Sequence, residues 1–348
     1  APLVRPGETA TFEFYLPHQP ISPERAAALY RQDFAVRHAE CRAFWEAKLA
    51  AGASVSLPER RIDEMVRAGL LHLDLVNYGL EPDGPTNATI GVYCPIGSES
   101  SPIIQFLDAM GWSTLAERSL QYFLEKQHDD GFIQNFGGYM LETGPALWSM
   151  GEHYRYTRDT AWVARIKPKL LRAVDFMLKW RERNKREELR GKGYGLMEGK
   201  VADPEDPFRC FMLNGYAYTG MLRVAEMLAE IDPAESQRIA TEAKAFKADL
   251  RQAIAENLAK SPVVPLGDGT WCPTLAPWAE ARGPVGLLTD GAKWSTHGAY
   301  VARDTLIGPM YLTIAEVLEP EEQITTWLLE YEADLFNMRN VTLSQPYY

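Results

Sequence analysis

The feature that most constrains this chain is a run of helical hydrophobic periods from Pro58 onward, interrupted by breaks that alternate between short and long. Apolar residues recur at the spacing of one helix face over about 58–79, 101–110, 113–128, 141–157, 160–185, 211–231, 234–259, 303–317 and 321–337. Several of these segments open with proline beside an acidic residue, as in LPERRIDE, DPAESQ and EPEEQ. Proline suits the first helical position, and negative charge suits the positive end of the helix dipole. The short breaks are MGWST, YTRDT and EIDPAE, and the long ones span 80–100, 129–140, 186–210 and 260–302. Antiparallel helix pairs joined in this way collect every long loop at one end, and loops of this length in a compact domain usually carry function. These loops concentrate Trp, Tyr, Asp, Glu and Gly, so the expectation is an all-α fold with its site among them.

The stretch before Pro58 reads differently. TATFEFYLP alternates polar and apolar residues and ends in proline, which predicts a β-strand. A lone strand has no partner, so residues 1–20 are expected to be the last strand of a β domain whose remainder lies upstream of Ala1. Residues 21–57 are expected to form a linker helix, from about Pro23 to Ala51 and carrying Phe34, Phe44 and Trp45, and residues 58–348 the helical domain.

Composition removes several function classes. The chain has 348 residues, 46% apolar and 24% charged, which suffices for a substantial core. Its net charge of -11 repels a phosphate backbone, so no nucleic-acid partner is expected. The one basic run, from RIKPKLLR through KWRERNKREELRGKG, has helical spacing and reads as a solvated helix face. No window approaches the ~18 uninterrupted apolar residues of a membrane span. Cys41, Cys94, Cys210 and Cys272 are widely separated and form no CxxC pair. Gly-rich phosphate loops, HExxH, GxSxG and metal-spaced clusters are absent from the sequence, so neither metal nor cofactor is expected.

Three segments carry a resemblance. HDDGFIQNFGGYMLETGPALWSMGEHYRYTRDTAWV resembles a stretch of glucoamylase-like members of the six-hairpin glycosidase superfamily, where an acidic residue, a glycine and ALW precede a helix ending in a tyrosine-rich turn. GYGLMEGKVADPEDPFRCFMLNGYAYTGMLRVAEMLAE is similar to the loop and following helix of that group, and HGAYVARDTLIGPMYLTIAEVLEP is similar to a later hairpin. Together they cover most of residues 58–337. The resemblance implies an (α/α)6 toroid of helical hairpins behind a β domain and linker helix. The nine helical segments fall short of the twelve in six hairpins, so the toroid is expected to be incomplete at the C-terminus. The catalytic base, which lies late in such barrels, is expected beyond Tyr348.

The implied chemistry is hydrolysis of a glycosidic bond, with a carbohydrate as the partner. An inverting enzyme needs a protonated carboxyl at the leaving oxygen and a carboxylate across the ring, about 6.5–9.5 Å apart. The resemblance places the general acid at Glu198, in GLME, with Met197 where the group carries tryptophan. Glu198 stands among glycines, where helix propensity has not selected it. Asp203 and Asp206, in ADPEDP, compete for the acid role; the alternative for them is a proline-rich turn capping the next helix. Glu142 either favours a helix dipole or accepts hydrogen bonds from sugar hydroxyls, and Tyr139 and Trp148 are stacking or wall candidates, Trp148 reading more as core. In YCPIGSESS, Glu99 stands where the group carries an Arg-Asp pair gripping the terminal sugar. TDGAKWSTHGAY offers Trp294 and His297 to a pyranose face. The expectation is an inverting, exo-acting glycoside hydrolase. Its alternatives are a non-catalytic carbohydrate-binding barrel and a sugar phosphorylase, the latter hinted at by Lys293, Ser295 and Thr296.

Overall fold

A computed structural model describes residues 4–17, 20–79, 81, 83–90, 94–135, 137–201, 208–284 and 308–334. These residues are mostly helical, as the periodicity predicts, with eleven α-helices and four short strands among them. Contacts divide the chain into two compact units, Ala1–Leu71 and His72–Tyr348. The division falls inside a helix, later than the 57/58 boundary expected from the sequence.

In the first unit TATFEFYLP, residues 9–17, has no assigned strand and pairs with no strand among the described residues. Its alternating Phe12, Phe14 and Leu16 are exposed by 62%, 84% and 90%. The linker is two helices rather than one: α1 (Pro23–Tyr30) and α2 (Phe34–Ala51). The break comes where Asp33 turns its carboxylate onto the Val36 N–H at 2.9 Å, an N-cap that starts a new helix instead of continuing the old one. Neither helix buries a residue. Then α3 (Arg60–Leu75) leads into the second unit.

There β1 (Asn77–Tyr78) and β2 (Asn87–Ala88) form an antiparallel pair. Helices follow as α4 (Gly97–Ala109), α5 (Ser113–Glu125), α6 (Thr143–Thr157), α7 (Thr160–Arg183), α8 (Phe211–Leu228) and α9 (Pro233–Lys260). A second antiparallel pair, β3 (Val263–Pro265) and β4 (Trp271–Pro273), precedes α10 (Tyr311–Ile314) and α11 (Gln323–Ala333). The helix expected over 303–317 is only the four-residue α10 among the described residues. The short connections have local causes. Gly111 takes the left-handed conformation after α4, Arg158 does so after α6, and Asp159 caps α7 by accepting the Trp162 N–H at 2.8 Å.

The helices sort into two kinds. α6 packs against both α4 and α8, and α8 also meets α10, while α5, α7 and α9 lie against this central set. The central helices are apolar nearly all round: α8 buries everything except Leu222 and Glu226. The flanking helices bury one stripe, as α9 does with Ile239, Ala243, Phe246, Leu250, Ala253 and Ile254. Each large apolar side chain so buried stabilises by about 1.5–3 kcal/mol. The basic run follows the partly solvated face of α7 to Arg183 and continues beyond the helix, with one buried member in α7. Arg181, 1% exposed, pairs with Asp249 at 2.7 Å and lies 4.1 Å over the Phe246 ring.

Candidate functional site

The long connections meet at the N-terminal ends of α4, α6 and α8. Gly97 opens α4 directly against the backbone of Glu142, where a Cβ would come within 2.9 Å. The strip before α6 is joined to the loop before α8 by Met140 N–H donating to Lys200 O at 2.9 Å, and Gly199 lies against the Met140 side chain. Glu99, Tyr139, Glu142 and Glu198 therefore belong to three neighbouring strands of loop and helix end. Asp203, Asp206, Trp294 and His297 lie outside the described residues, as do Lys293, Ser295 and Thr296.

Glu198 is half-buried on a loop fixed at several points. The Asn214 side chain, buried in α8, clamps the preceding peptide from both sides. Its Oδ1 accepts Met197 N–H at 2.7 Å, and its Nδ2 donates to Met197 O at 2.9 Å. Gly195 N–H donates to Asn184 O at 2.9 Å and Gly199 N–H to Phe208 O at 3.0 Å. Met197, 1% exposed, fills the core in the place where the resemblance leads one to look for tryptophan. The Glu198 carboxylate accepts a hydrogen bond from Asn184 Nδ2.

Glu99 was expected in a loop and instead lies in the first turn of α4, which begins at Gly97 rather than near 101. Pro102 misleads here, because proline usually marks the first turn of a helix but sits further inside this one. The serines around it are drawn into the helix: Ser101 Oγ donates to Gly97 O at 2.6 Å and Ser100 Oγ to Ala88 O at 2.5 Å. Glu99 is half-buried, its carboxyl has no hydrogen bond or ion pair among the described residues, and burial pushes that carboxyl above the usual range. Tyr311 lies nearby, its hydroxyl raised first by burial and further by the Glu99 charge.

Two expected contact residues are buried. Glu142 is 0% exposed and its carboxylate accepts the Asn135 N–H at 2.7 Å, so it organises the loop before α6. Tyr139 is 8% exposed with Lys200 Nζ 5.1 Å over its ring, a face already covered. Trp148 is partly exposed and packs on the core. Its ring meets Tyr216 at 5.3 Å between centroids, and Tyr216 meets Tyr311 at 4.9 Å. This ladder across α6, α8 and α10 is largely enclosed, with Tyr216 and Tyr311 buried and only Trp148 partly exposed.

Asn184, Arg209 and Asn214 went unread in the sequence. Asn214 carries a usable signal, a lone amide inside the apolar run FMLNGY, since a buried amide must find partners. No helix among the described residues is long and apolar enough to cross a membrane. Compared with known proteins, the chain matches no family model and no curated protein.

Proposed function

We propose that this chain is a glycoside hydrolase of the six-hairpin kind, an (α/α)6 toroid acting on a terminal sugar with inversion. The observation that carries the reading is Glu198. It is a half-buried carboxyl on a glycine-flanked loop, backed by protein on one oxygen, at the helix ends where the long loops converge. The layering supports the toroid, since central helices buried on nearly all sides and flanked by amphipathic partners are what a double ring of hairpins requires.

In this reading Glu198, protonated, delivers its proton to the glycosidic oxygen as the bond to the anomeric carbon breaks. A water on the opposite face attacks that carbon and loses its proton to a second carboxylate. Glu99 receives hydroxyls of the terminal ring, and the partly exposed Trp148, backed by Tyr216 and Tyr311 beneath it, supplies the apolar contact a pyranose face needs. The substrate is a neutral oligo- or polysaccharide end. A non-catalytic sugar-binding barrel is the second reading, favoured by the burial of Tyr139 and Glu142, which leaves fewer polar contacts for catalysis.

The test is reducing-sugar release from a panel of α- and β-linked oligosaccharides, with the product anomer followed by NMR. Glu198→Gln is expected to lower turnover by about 10²–10⁴-fold, the usual worth of a positioned acid, while the circular dichroism spectrum is retained. Sugar-dependent thermal stabilisation without release, unchanged by Glu198→Gln, would select the binding reading.

A further inference from the structure

We infer that Asn184 is the positioning residue of Glu198, held in one amide orientation by a partly buried relay through Arg209 to Glu280; the functional part of this inference rests on the glycosidase reading. Asn184 ends α7 and is 3% exposed. Its Oδ1 accepts from Arg209 Nη2 at 2.9 Å. A guanidinium only donates, so this contact fixes which end of the amide is oxygen and leaves Nδ2 to face Glu198. Arg209 is fixed in turn: its Nη1 donates to Glu280 Oε1 at 2.8 Å, and its backbone N–H donates to Glu280 Oε2 at 3.1 Å.

The backbone of Asn184 is pinned as well. Its N–H donates to Arg181 O at 2.9 Å and its carbonyl accepts from Gly195 at 2.9 Å, while Arg181 Nε donates to Gly195 O at 3.2 Å. The residue that aims the carboxyl is thus bonded to the loop that carries it. Asn184 engages Oε2 of Glu198, and Oε1 has no protein partner among the described residues. One oxygen is anchored and the other is presented, the arrangement an acid needs to meet a leaving oxygen in a fixed geometry.

Two consequences separate this role from mere support of the fold. Asn184→Ala frees the carboxyl, so kcat is expected to fall by about 10²-fold with KM little changed. The second follows from the relay: Arg209→Met, which lets the amide turn, is expected to lower kcat in the same direction by less. A fall in activity that tracks the loss of folded protein, or one carried by KM with kcat unmoved, would overturn the inference.

Absence of turnover in the wild type would fail the glycosidase reading alone. The Asn184–Glu198 contact is then read from the infrared carboxylate band that Glu198→Gln removes. Its frequency is expected to shift in Asn184→Ala, where the carboxylate loses its donor, and an unchanged frequency there overturns the inference as well.

Discussion

Among single residues, the carboxyls divide by what surrounds them. Glu198 was legible because its glycine neighbours leave a carboxylate with no helical reason to be there. Asn184 and Arg209 were not, since a hydrogen bond across 14 or 25 positions of sequence has no periodic trace. Glu142 carried two readings, a helix-dipole partner or a sugar contact implied by the resemblance, and it lies under Gly97 with its carboxylate bonded to Asn135. Glu99 gives a pH test. A carboxyl whose proton affinity rises on folding destabilises the fold once ionised. The penalty is absent below about pH 4, the ordinary glutamate range, and grows as pH rises through the elevated value. Glu99→Gln should therefore melt above the wild type at neutral pH and with it in acid, as scanning calorimetry would register. The thiols give a second test. Cys41 and Cys94 are exposed, while Cys210 and Cys272 are buried, the latter pushed up to about 11 by burial. A thiol reagent at neutral pH should label the first pair in the native protein and the second only after denaturant is added.

For the helices and strands, periodicity located the long helices to within a few residues, and the disagreements have local causes. Asp33 split the linker helix, and Pro102 misplaced the start of α4. The alternation in TATFEFYLP meets no partner strand among the described residues, and strand structure exists only as a pairing. What periodicity could not rank was which helices are central. That ranking rests on close approaches such as Gly144 of α6, where a Cβ would come within 2.7 Å of the Ala217 backbone in α8. Gly144→Ala should destabilise by about 1–3 kcal/mol, the range for overpacking. Asp159→Ala, which only uncaps α7, should lose about 1 kcal/mol. Urea unfolding of both variants would order them, and equal losses would contradict the close packing of α6 on α8.

Over the molecule as a whole, the described core belongs to the second unit, where α8 is enclosed on nearly every side. In the first unit, α1 and α2 bury nothing. Hydrogen exchange should therefore be slowest in α8 and close to unprotected in α1 and α2. Charge adds an acid limit. The hydrogen bonds from Arg251 pull Glu322 down to about 2. A depressed carboxyl stabilises fully above its ordinary range, and the contribution fades as pH falls from about 4.3 toward the lowered value. The pair is partly solvated, so Arg251→Met should remove no more than about 1 kcal/mol at neutral pH and almost nothing in strong acid, by denaturant titration at both. The sequence by itself determined the helical class, the lengths of the helices and the separation of short turns from long loops, because these follow from periodicity, caps and turn residues acting over a few positions. Only the tertiary structure decided that Glu142 and Tyr139 are enclosed, that Glu99 and Glu198 remain half open, and that Asn184 backs Glu198. Burial and distant hydrogen bonds are set by how helices pack, and no local stretch of sequence records that.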